Sequence, residues 1–258
     1  MSSSVCEEPI AEQVLLTSSE ISLTKATKVP HHIAIAMDGN RRWASRRFMP
    51  ALVGHWKGAD AITKVVRAAS DLGVKVLTLY AFSTENWNRS ESEVNELMKV
   101  FTHYLKKNLS FMLEEGVRLD SIGDLSKLPQ DVQDIFFQTK MATKDGKKID
   151  LVLAVNYGGR DDIRRATLAI VGDFEKGLLK KEDISEDLIS SYLDTAKWKD
   201  PDLFIRTSGE QRLSNFLLWQ FSYTEVYITK TLWPDFNEKH LLQAVLEYQQ
   251  RERRLGGA

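Results

Sequence analysis

"IAIAMDGNRRWA", residues 33–44, joins an apolar run directly to a polar and charged one. The first five residues, Ile33–Met37, are typical of a buried strand. An acid, Asp38, follows at once, and then come Gly39, Asn40 and two adjacent arginines. Such residues make a good turn with solvated arginines. They also suit a phosphate site at the carboxyl end of a strand, with Asp38 as the metal-binding acid.

Strand and helix patterns alternate along the rest of the chain. The predicted strands cover residues 33–37, 75–82, 117–122, 149–155, 202–206 and 225–228. The predicted helices cover residues 55–72, 90–116, 129–143, 160–176, 185–193 and 237–253. This alternation predicts an α/β fold with a single central parallel six-stranded sheet flanked by helices. We expect one domain over residues 30–258, after a disordered Ser-rich extension, residues 1–29.

Polar and glycine residues follow five of the predicted strands. The segments are residues 38–42, 83–87, 123–124, 156–160 and 206–210. Because the carboxyl ends of parallel strands meet at one edge of the sheet, these segments should line one site. Five such ends favour a binding site over five isolated turns.

The charged side chains of this edge suggest phosphate chemistry. Guanidinium groups pair bidentately with phosphate oxygens. Two arginine groups from distant parts of the chain suggest two diphosphates, and the alternative is salt bridging to Glu85 or Glu210. Asp38 and Glu225 are the acids expected to hold Mg²⁺, which binds through few carboxylates plus substrate phosphate. The arginines are Arg41, Arg42, Arg206 and Arg212.

Other function classes lack their sequence signals. The formal net charge of −1 argues against a nucleic-acid binder. The chain has no P-loop, dinucleotide fingerprint or nucleophile elbow, and no histidine pair has zinc spacing. His31 and His32 precede the first strand and are expected to be solvated or capping. One cysteine, Cys6, permits no intrachain disulfide.

No membrane span is predicted, because no apolar run approaches the roughly 18 residues that a span needs. Residues 1–29 lack the features of a secretory or transit peptide. We therefore expect a soluble protein without stable membrane insertion.

The long predicted helix near residue 100 is apolar on more than one side. Phe111 and Leu113 add apolar surface outside its core stripe. Such a helix is either deeply buried or lines an apolar cavity. An apolar cavity next to two diphosphate sites predicts a ligand in which a hydrocarbon chain is attached to a diphosphate.

Seven motifs then occur in order over residues 30–257: "MDGNRRWA", "GH", "LTLYAFSTENWNR", "VNYGGR", "PDLFIRTSGEQRLSNFLLWQ", "TEVYITKTLWPDF" and "RERRLGG". They resemble those of the cis-prenyltransferase family, the group of undecaprenyl diphosphate synthase. The resemblance implies a homodimeric, Mg²⁺-dependent transferase with an elongated hydrophobic tunnel. Its substrates would be an allylic diphosphate, here dimethylallyl diphosphate, and isopentenyl diphosphate.

The resemblance also implies roles for individual residues. Asp38 would be the essential acid, Glu225 a magnesium ligand, and Ser83 and Asn86 candidates for proton removal. The allylic diphosphate would be surrounded by Gly39, Asn40, Arg41, Arg42, Trp43 and the catalytic His55. The second active-site segment would supply Ser83, Thr84, Glu85, Asn86, Trp87 and Arg89. The isopentenyl diphosphate site would contain Arg206, Arg212 and Ser214. A carboxyl-terminal element that reaches the neighbouring subunit's site would contain Arg254 and Gly256.

Two positions depart from the family pattern. Phe48 stands where many relatives have glycine, and Ala51 where bacterial enzymes place an arginine. These departures favour a plant short-chain member resembling neryl, Z,Z-farnesyl or lavandulyl diphosphate synthase, and with it a plastid rather than cytoplasmic location. Bulk on the tunnel wall favours a product of about ten to fifteen carbons, since filled volume limits growth. The bulky residues are Phe101, Tyr104, Phe111 and Met112.

Three alternatives remain at this point. Small Ala81 near the tunnel mouth argues for a long-chain polyprenyl product. Irregular coupling of two dimethylallyl diphosphates to lavandulyl diphosphate is the second. A non-catalytic partner subunit is the third, and the RTSGE and R-x-G elements argue against it because such partners lack parts of the catalytic set.

Overall fold

The computed structural model describes residues 16–252 and contains one six-stranded sheet. All its strand pairs are parallel, in the order β3-β4-β2-β1-β5-β6. The strands are β1 (His32–Ala36), β2 (Val76–Ser83), β3 (Val117–Ile122), β4 (Ile149–Tyr157), β5 (Leu203–Arg206) and β6 (Glu225–Ile228). This arrangement confirms the predicted fold class.

Eight α-helices accompany the sheet within the described residues. They are α1 (Ser18–Lys25), α2 (Asn40–Ser45), α3 (Ala51–Leu72), α4 (Glu91–Glu114), α5 (Gln130–Ala142), α6 (Gly159–Glu175), α7 (Glu186–Tyr192) and α8 (Glu238–Gln249). None of them is long and apolar enough to cross a membrane.

Strand β1 lies at the centre of the sheet, between β2 and β5. All five of its residues are buried, because both faces of a parallel sheet are covered. Ile33 and Ile35 belong to the larger core, which α3, α4, α5 and α8 cover. Ala34 and Ala36 face a smaller cluster around Tyr157 on the other side.

Close packing of α2 against α3 fixes the segment that follows β1. A Cβ atom on Gly54 would lie 2.0 Å from the carbonyl oxygen of Asn40. A Cβ atom on Gly58 would lie 2.3 Å from Oδ1 of the same asparagine. Glycine at these two positions of α3 therefore lets α2 approach, and α2 carries most of the first motif.

Two expectations need correction. Residues 1–29 are not disordered throughout, because α1 begins with a capping box between Thr17 and Glu20. Glu20 also pairs with Lys239 of α8 at 2.6 Å. Residues 1–15, and with them Cys6, lie outside the described residues. His32 is buried rather than solvated. The residues that follow Gly39 form the helix α2, which the sequence analysis did not predict.

Candidate active site

Asp38 is held where β1 and β5 end. Its backbone N–H donates to Thr207 Oγ1 at 2.8 Å, and the Thr207 hydroxyl donates to the Asp38 carbonyl at 2.7 Å. Gly39 follows with φ +109°, and an added Cβ there would meet Leu232 at 2.9 Å. Positive φ and lack of space both require glycine at this turn.

The Asp38 carboxylate receives two guanidinium groups. Arg206 donates to Oδ2 at 2.9 Å, and Arg42 lies 3.3 Å from Oδ1. The Arg206 side chain is only 6% exposed, and its Nε atom is buried without a hydrogen-bond partner. A buried, unpaired charged donor is costly, so this atom points to an anionic ligand that the chain itself does not supply.

Within residues 16–252, the salt-bridge alternative holds for Glu210 but not for Glu85. Glu210 pairs with Arg42 at 2.9 Å and also with Arg212. Arg42 further donates to Ser208 Oγ at 2.5 Å. The Arg212 side chain is 63% exposed, so solvent screens its ion pair and the guanidinium can turn toward a ligand.

The loop after β2 forms a short 3₁₀ helix, Thr84–Asn88. The Ser83 backbone N–H donates to Asn86 Oδ1 at 3.1 Å, so the side chain of Asn86 faces Ser83. Trp87 Nε1 donates to Asn156 Oδ1 at 2.8 Å, which ties this loop to the end of β4. Arg89 donates to Glu93 at 2.8 Å, and exposed Arg41 lies 3.6 Å from the same carboxylate.

Asn215 is a site residue that sequence reasoning missed. Its Nδ2 donates to Glu85 Oε1 at 2.7 Å, and its Oδ1 accepts from the Arg160 backbone N–H at 2.9 Å. It thus joins the loops after β2, β4 and β5. Its φ of +63° is one that asparagine adopts more readily than most residues, which is the signal in "SNF" that could have found it.

Hydrogen bonds keep Glu85 ionised. Burial by itself would raise the pKa of this carboxyl, but donors from Asn215, its own backbone, Ser83 and Thr84 hold the pKa below its usual range. Thr84 Oγ1 would lie 2.6 Å from a Cβ on Gly158, so the loops after β2 and β4 touch.

A polar pocket at the carboxyl edge of the sheet collects most of these groups. It encloses about 990 Å³ including open solvent. Seven predicted site residues line it: Asp38, Ser83, Glu85, Asn86, Arg89, Arg206 and Ser214. The other lining residues are Met37, Tyr80 and Asn215. The predicted convergence of strand ends at one site is therefore seen for the ends of β1, β2 and β5.

An apolar cavity adjoins this pocket. The space between α3, α4 and the sheet amounts to about 650 Å³ including open solvent, and Met37 lines both the cavity and the polar pocket. Asn40 and His55 are among its polar lining residues. Of the four bulky residues predicted for the tunnel wall, Phe101 and Tyr104 line the cavity, whereas Phe111 and Met112 do not. Ala81 also lines it.

His55 is neutral at ordinary pH. Burial, followed by the charge of Arg89, lowers its pKa to about 4. Its Nε2 atom is buried without a partner, as is Asn40 Oδ1. The His55 Nε2 atom can donate to a ligand or accept from it, depending on the tautomer, whereas Asn40 Oδ1 can only accept.

Some predicted residues do not reach the pocket. Trp43 is buried and donates to Asp235 at 2.6 Å, so it packs the motif in place. Glu225 begins β6 and pairs in register with Leu203, three residues before Arg206. It therefore lies near the amino edge, where Arg251 binds it at 2.9 Å, and within one chain it is not beside Asp38. Arg254 and Gly256 lie outside the described residues.

The donor set suits a cation that arrives with its substrate. Among residues 16–252, no group of three or more His, Cys, Asp or Glu could hold a metal. Mg²⁺ needs only one or two carboxylates when phosphates and water complete its shell. The half-buried Asp38 carboxylate fits that requirement, and no closed protein cage is needed.

The family of the chain follows from its sequence and this geometry together. The family model described as "Putative undecaprenyl diphosphate synthase" matches residues 36–256. The chain belongs to the cis-prenyltransferase family. This confirms the family resemblance, and with it an enzyme class that transfers prenyl groups.

Two bacterial proteins are similar to nearly the whole chain. An isoprenyl transferase of Chlamydia trachomatis is 50% identical over 239 residues, covering 91% of this chain and 94% of that protein. A second relative is the ditrans,polycis-undecaprenyl-diphosphate synthase of Micrococcus luteus, which is named as specific for (2E,6E)-farnesyl diphosphate. It is 45% identical, and the match covers 96% of this chain and 99% of that protein. These relatives favour the long-chain alternative and give no support to a plant member or a plastid location.

A solved plant enzyme shares the fold. The crystal structure of lavandulyl diphosphate synthase from Lavandula x intermedia, in complex with dimethylallyl diphosphate, has a TM-score of 0.87 and 39% identity. The match covers 89% of this chain and 99% of that one.

Proposed function

We propose that this cis-prenyltransferase couples an allylic diphosphate to isopentenyl diphosphate repeatedly and makes a long-chain polyprenyl diphosphate. One observation carries the proposal: the polar pocket around Asp38 and Arg206 meets an apolar cavity at Met37. A diphosphate head in the pocket can therefore send its hydrocarbon tail into the cavity.

Asp38 and the arginines would handle the first step, in which the allylic carbon–oxygen bond breaks. Arg41 and Arg42, with Gly39, Asn40 and His55 nearby, would bind the allylic diphosphate. Preorganised positive groups stabilise the charge that develops on the leaving diphosphate. Asp38 would hold Mg²⁺, whose chemistry when bound is to neutralise that same charge. The buried side of α2, with Trp43, keeps these groups in place.

Arg206, Arg212 and Ser214 would bind the acceptor, isopentenyl diphosphate. The acceptor's double bond attacks the allylic carbon, and one proton must then leave. Thr84, Trp87 and Arg89 shape the loop. Ser83 and Asn86 line the same pocket, and Asn86 Oδ1 accepts from the Ser83 backbone N–H. Both side chains are neutral, so we propose that the ionised carboxylate of Glu85 receives the proton. A weak base is sufficient, because a proton beside a carbocation is strongly acidic.

Product length is the finer part of the proposal. The Micrococcus luteus relative supports a long chain and suggests farnesyl diphosphate as primer. The cavity also contains small residues, Gly58, Ala59 and Ala81, which leave room for a growing chain. A short or irregular product, made from dimethylallyl diphosphate, is the second candidate, because the lavandulyl enzyme is structurally similar at 39% identity.

A homodimer through β6 is a further part of the proposal. This edge strand exposes Val226 and Ile228, and Tyr223 precedes it, also exposed. An apolar edge of this kind favours pairing. Glu225 belongs to the same strand. In a dimer, Glu225, Arg254 and Gly256 could therefore contribute to the active site of the neighbouring subunit. Sedimentation equilibrium should give a dimer, and Val226→Lys with Ile228→Lys should give monomers.

Product analysis tests the reaction. The protein is incubated with Mg²⁺ and isopentenyl diphosphate plus either farnesyl or dimethylallyl diphosphate, and the products are dephosphorylated. Alcohols much longer than farnesol support the proposal. Nerol or Z,Z-farnesol alone would support a short-chain enzyme, and a branched ten-carbon alcohol from dimethylallyl diphosphate alone would establish irregular coupling. If no product forms with any primer, the result would favour the alternative that the chain is a non-catalytic partner subunit.

A further inference from the structure

A basic groove runs along the amino edge of the sheet, opposite the polar pocket. Seven lysine or arginine side chains line it, against two aspartates, Asp71 and Asp150. Asp150 is already engaged, because Arg118 donates to both its oxygens and Trp198 donates to one. We call this surface the amino-edge groove. Its cations are Lys25, Lys75, Arg118, Lys147, Lys148, Lys197 and Lys199.

Most of these lysines have no acidic partner. Among residues 16–252, Lys148 has only a long contact of 3.7 Å to Glu115, and Lys197 pairs with Asp120. The remaining four make no ion pair with a described residue: Lys25, Lys75, Lys147 and Lys199. The whole chain has a net charge of −1, so this concentration of positive charge is local. It is a footprint for an extended anionic surface.

Backbone contacts hold the groove in shape. The Lys75 N–H donates to the His31 carbonyl at 2.9 Å, and the Lys148 N–H donates to the Gly116 carbonyl at 3.0 Å. Asp150 N–H donates to the Lys75 carbonyl at 2.8 Å. The lysine stems therefore start from fixed positions at the beginnings of β2 and β4.

Exposed apolar side chains accompany the lysines. Leu113, 51% exposed, lies in the last turn of α4, and Met141, 45% exposed, lies in the last turn of α5. Both helices end at the amino edge, because β3 and β4 begin there. Leu23 of α1, two residues before Lys25 in the chain, is exposed as well. Single exposed apolar residues are common, but their combination with unpaired lysines is typical of membrane-surface binding.

We propose that the amino edge docks on a bilayer that contains acidic phospholipids. Lysines near such a surface are attracted to its negative potential, and the apolar residues enter the headgroup boundary. The proposal rests on the proposed function in one respect: a long polyprenyl chain is insoluble in water. Helices α3 and α4, which line the apolar cavity, run from the polar pocket to this edge, so docking points the cavity toward the bilayer.

Vesicle flotation without substrates tests the docking. The wild-type chain should bind phosphatidylcholine vesicles that contain phosphatidylglycerol and not vesicles of phosphatidylcholine alone. Lys75→Glu with Lys147→Glu should lower binding about tenfold or more. The matched control is Lys57→Glu with Lys99→Glu, which changes the same charge on exposed positions near the other end of α3 and α4, and it should bind as the wild type does.

Other measurements separate the possible outcomes. Binding should weaken with added salt, as screened charges do, and this readout needs no variant. Turnover of the lysine variants in detergent should match the wild type. Equal binding to neutral vesicles, equal loss in the control variant, or preference for duplex RNA over acidic vesicles would each overturn the proposal. Retained vesicle binding by a chain that makes no product would count against the proposed function alone.

Discussion

Both edges of the sheet are rich in cations, but the two edges hold them differently. At the carboxyl edge, Arg206 and Arg42 are positioned by Asp38 at 2.9 and 3.3 Å. At the amino edge, Lys75 and Lys147 meet no acid in the described part of the chain. Guanidinium groups in fixed positions suit a ligand of fixed shape, whereas unpaired ammonium groups suit a diffuse surface. If the two proposals hold, the placement of the charges, rather than their number, distinguishes the edge that binds substrates from the edge that docks on a surface.

The largest effect should come from Asp38 at the carboxyl edge. Asp38→Ala removes the carboxylate that positions Arg206 and would hold the metal, and turnover should fall about 100-fold or more. Steady-state rates at saturating Mg²⁺ measure this. Asp60→Ala, which removes an exposed acid paired with Lys107, is the control, and this variant should keep its turnover. Near-normal turnover of Asp38→Ala would remove the assignment.

A change at the amino edge should affect stability instead. His32 is buried, donating through Nδ1 to the Lys199 carbonyl at 2.6 Å and accepting from the Thr78 hydroxyl at 2.8 Å in its neutral form. Burial lowers its pKa from 6.5 to about 4. Between these values the unfolded chain binds the extra proton, so this stability is present above pH 6.5 and is lost as pH falls toward 4. His32 should account for about 2 kcal/mol of lost unfolding free energy between pH 7.5 and pH 5.

Urea unfolding at the two pH values measures the contribution of His32. His32→Gln should show a smaller loss on acidification than the wild type, by that amount. The matched control, His103→Gln, changes an exposed ring on α4. Its loss of unfolding free energy on acidification should equal that of the wild type. An unchanged pH dependence in His32→Gln would show that the buried ring does not govern acid stability.

The two arginines proposed to bind isopentenyl diphosphate should differ in their effects on kcat and KM. This difference sharpens the comparison within the carboxyl edge. Arg212 is exposed, so Arg212→Ala should raise KM for isopentenyl diphosphate about tenfold, the worth of one charged hydrogen bond, and leave kcat nearly unchanged. Arg206 is buried against Asp38, so Arg206→Ala should lower kcat as well. The control is Arg164→Ala, which removes an exposed side chain on α6 and should change neither kcat nor KM. A larger rise in KM for the allylic primer than for isopentenyl diphosphate would mean that the two sites are exchanged.

The sequence predicted the sheet and the strand-end motif, because strand periodicity and polar strand ends follow from local chemistry. Contacts between distant segments were not readable in the same way. Asn215 joins three loops only after the chain has folded, and the isolated tripeptide shows no partner. Glu225 was predicted, with Asp38, to hold Mg²⁺, but parallel pairing of β5 and β6 puts it three residues away from the carboxyl edge. The burial of His32 likewise depends on Lys199 and Thr78, which are remote in sequence.

The smallest expected effect is at Phe48, between α2 and α3. Its φ is +55° and its side chain is fully exposed. The backbone is therefore strained, and no side-chain packing offsets that strain. A left-handed conformation costs a residue with a Cβ about 1–2 kcal/mol, while glycine loses part of that gain through its more flexible unfolded chain. Phe48→Gly should therefore raise the unfolding free energy by about 1 kcal/mol, measured by urea titration. The neighbouring Met49→Gly, at ordinary φ, should lower it. A loss of stability in Phe48→Gly would mean that the aromatic ring contributes a contact at this edge, such as one with a second copy, that outweighs the strain.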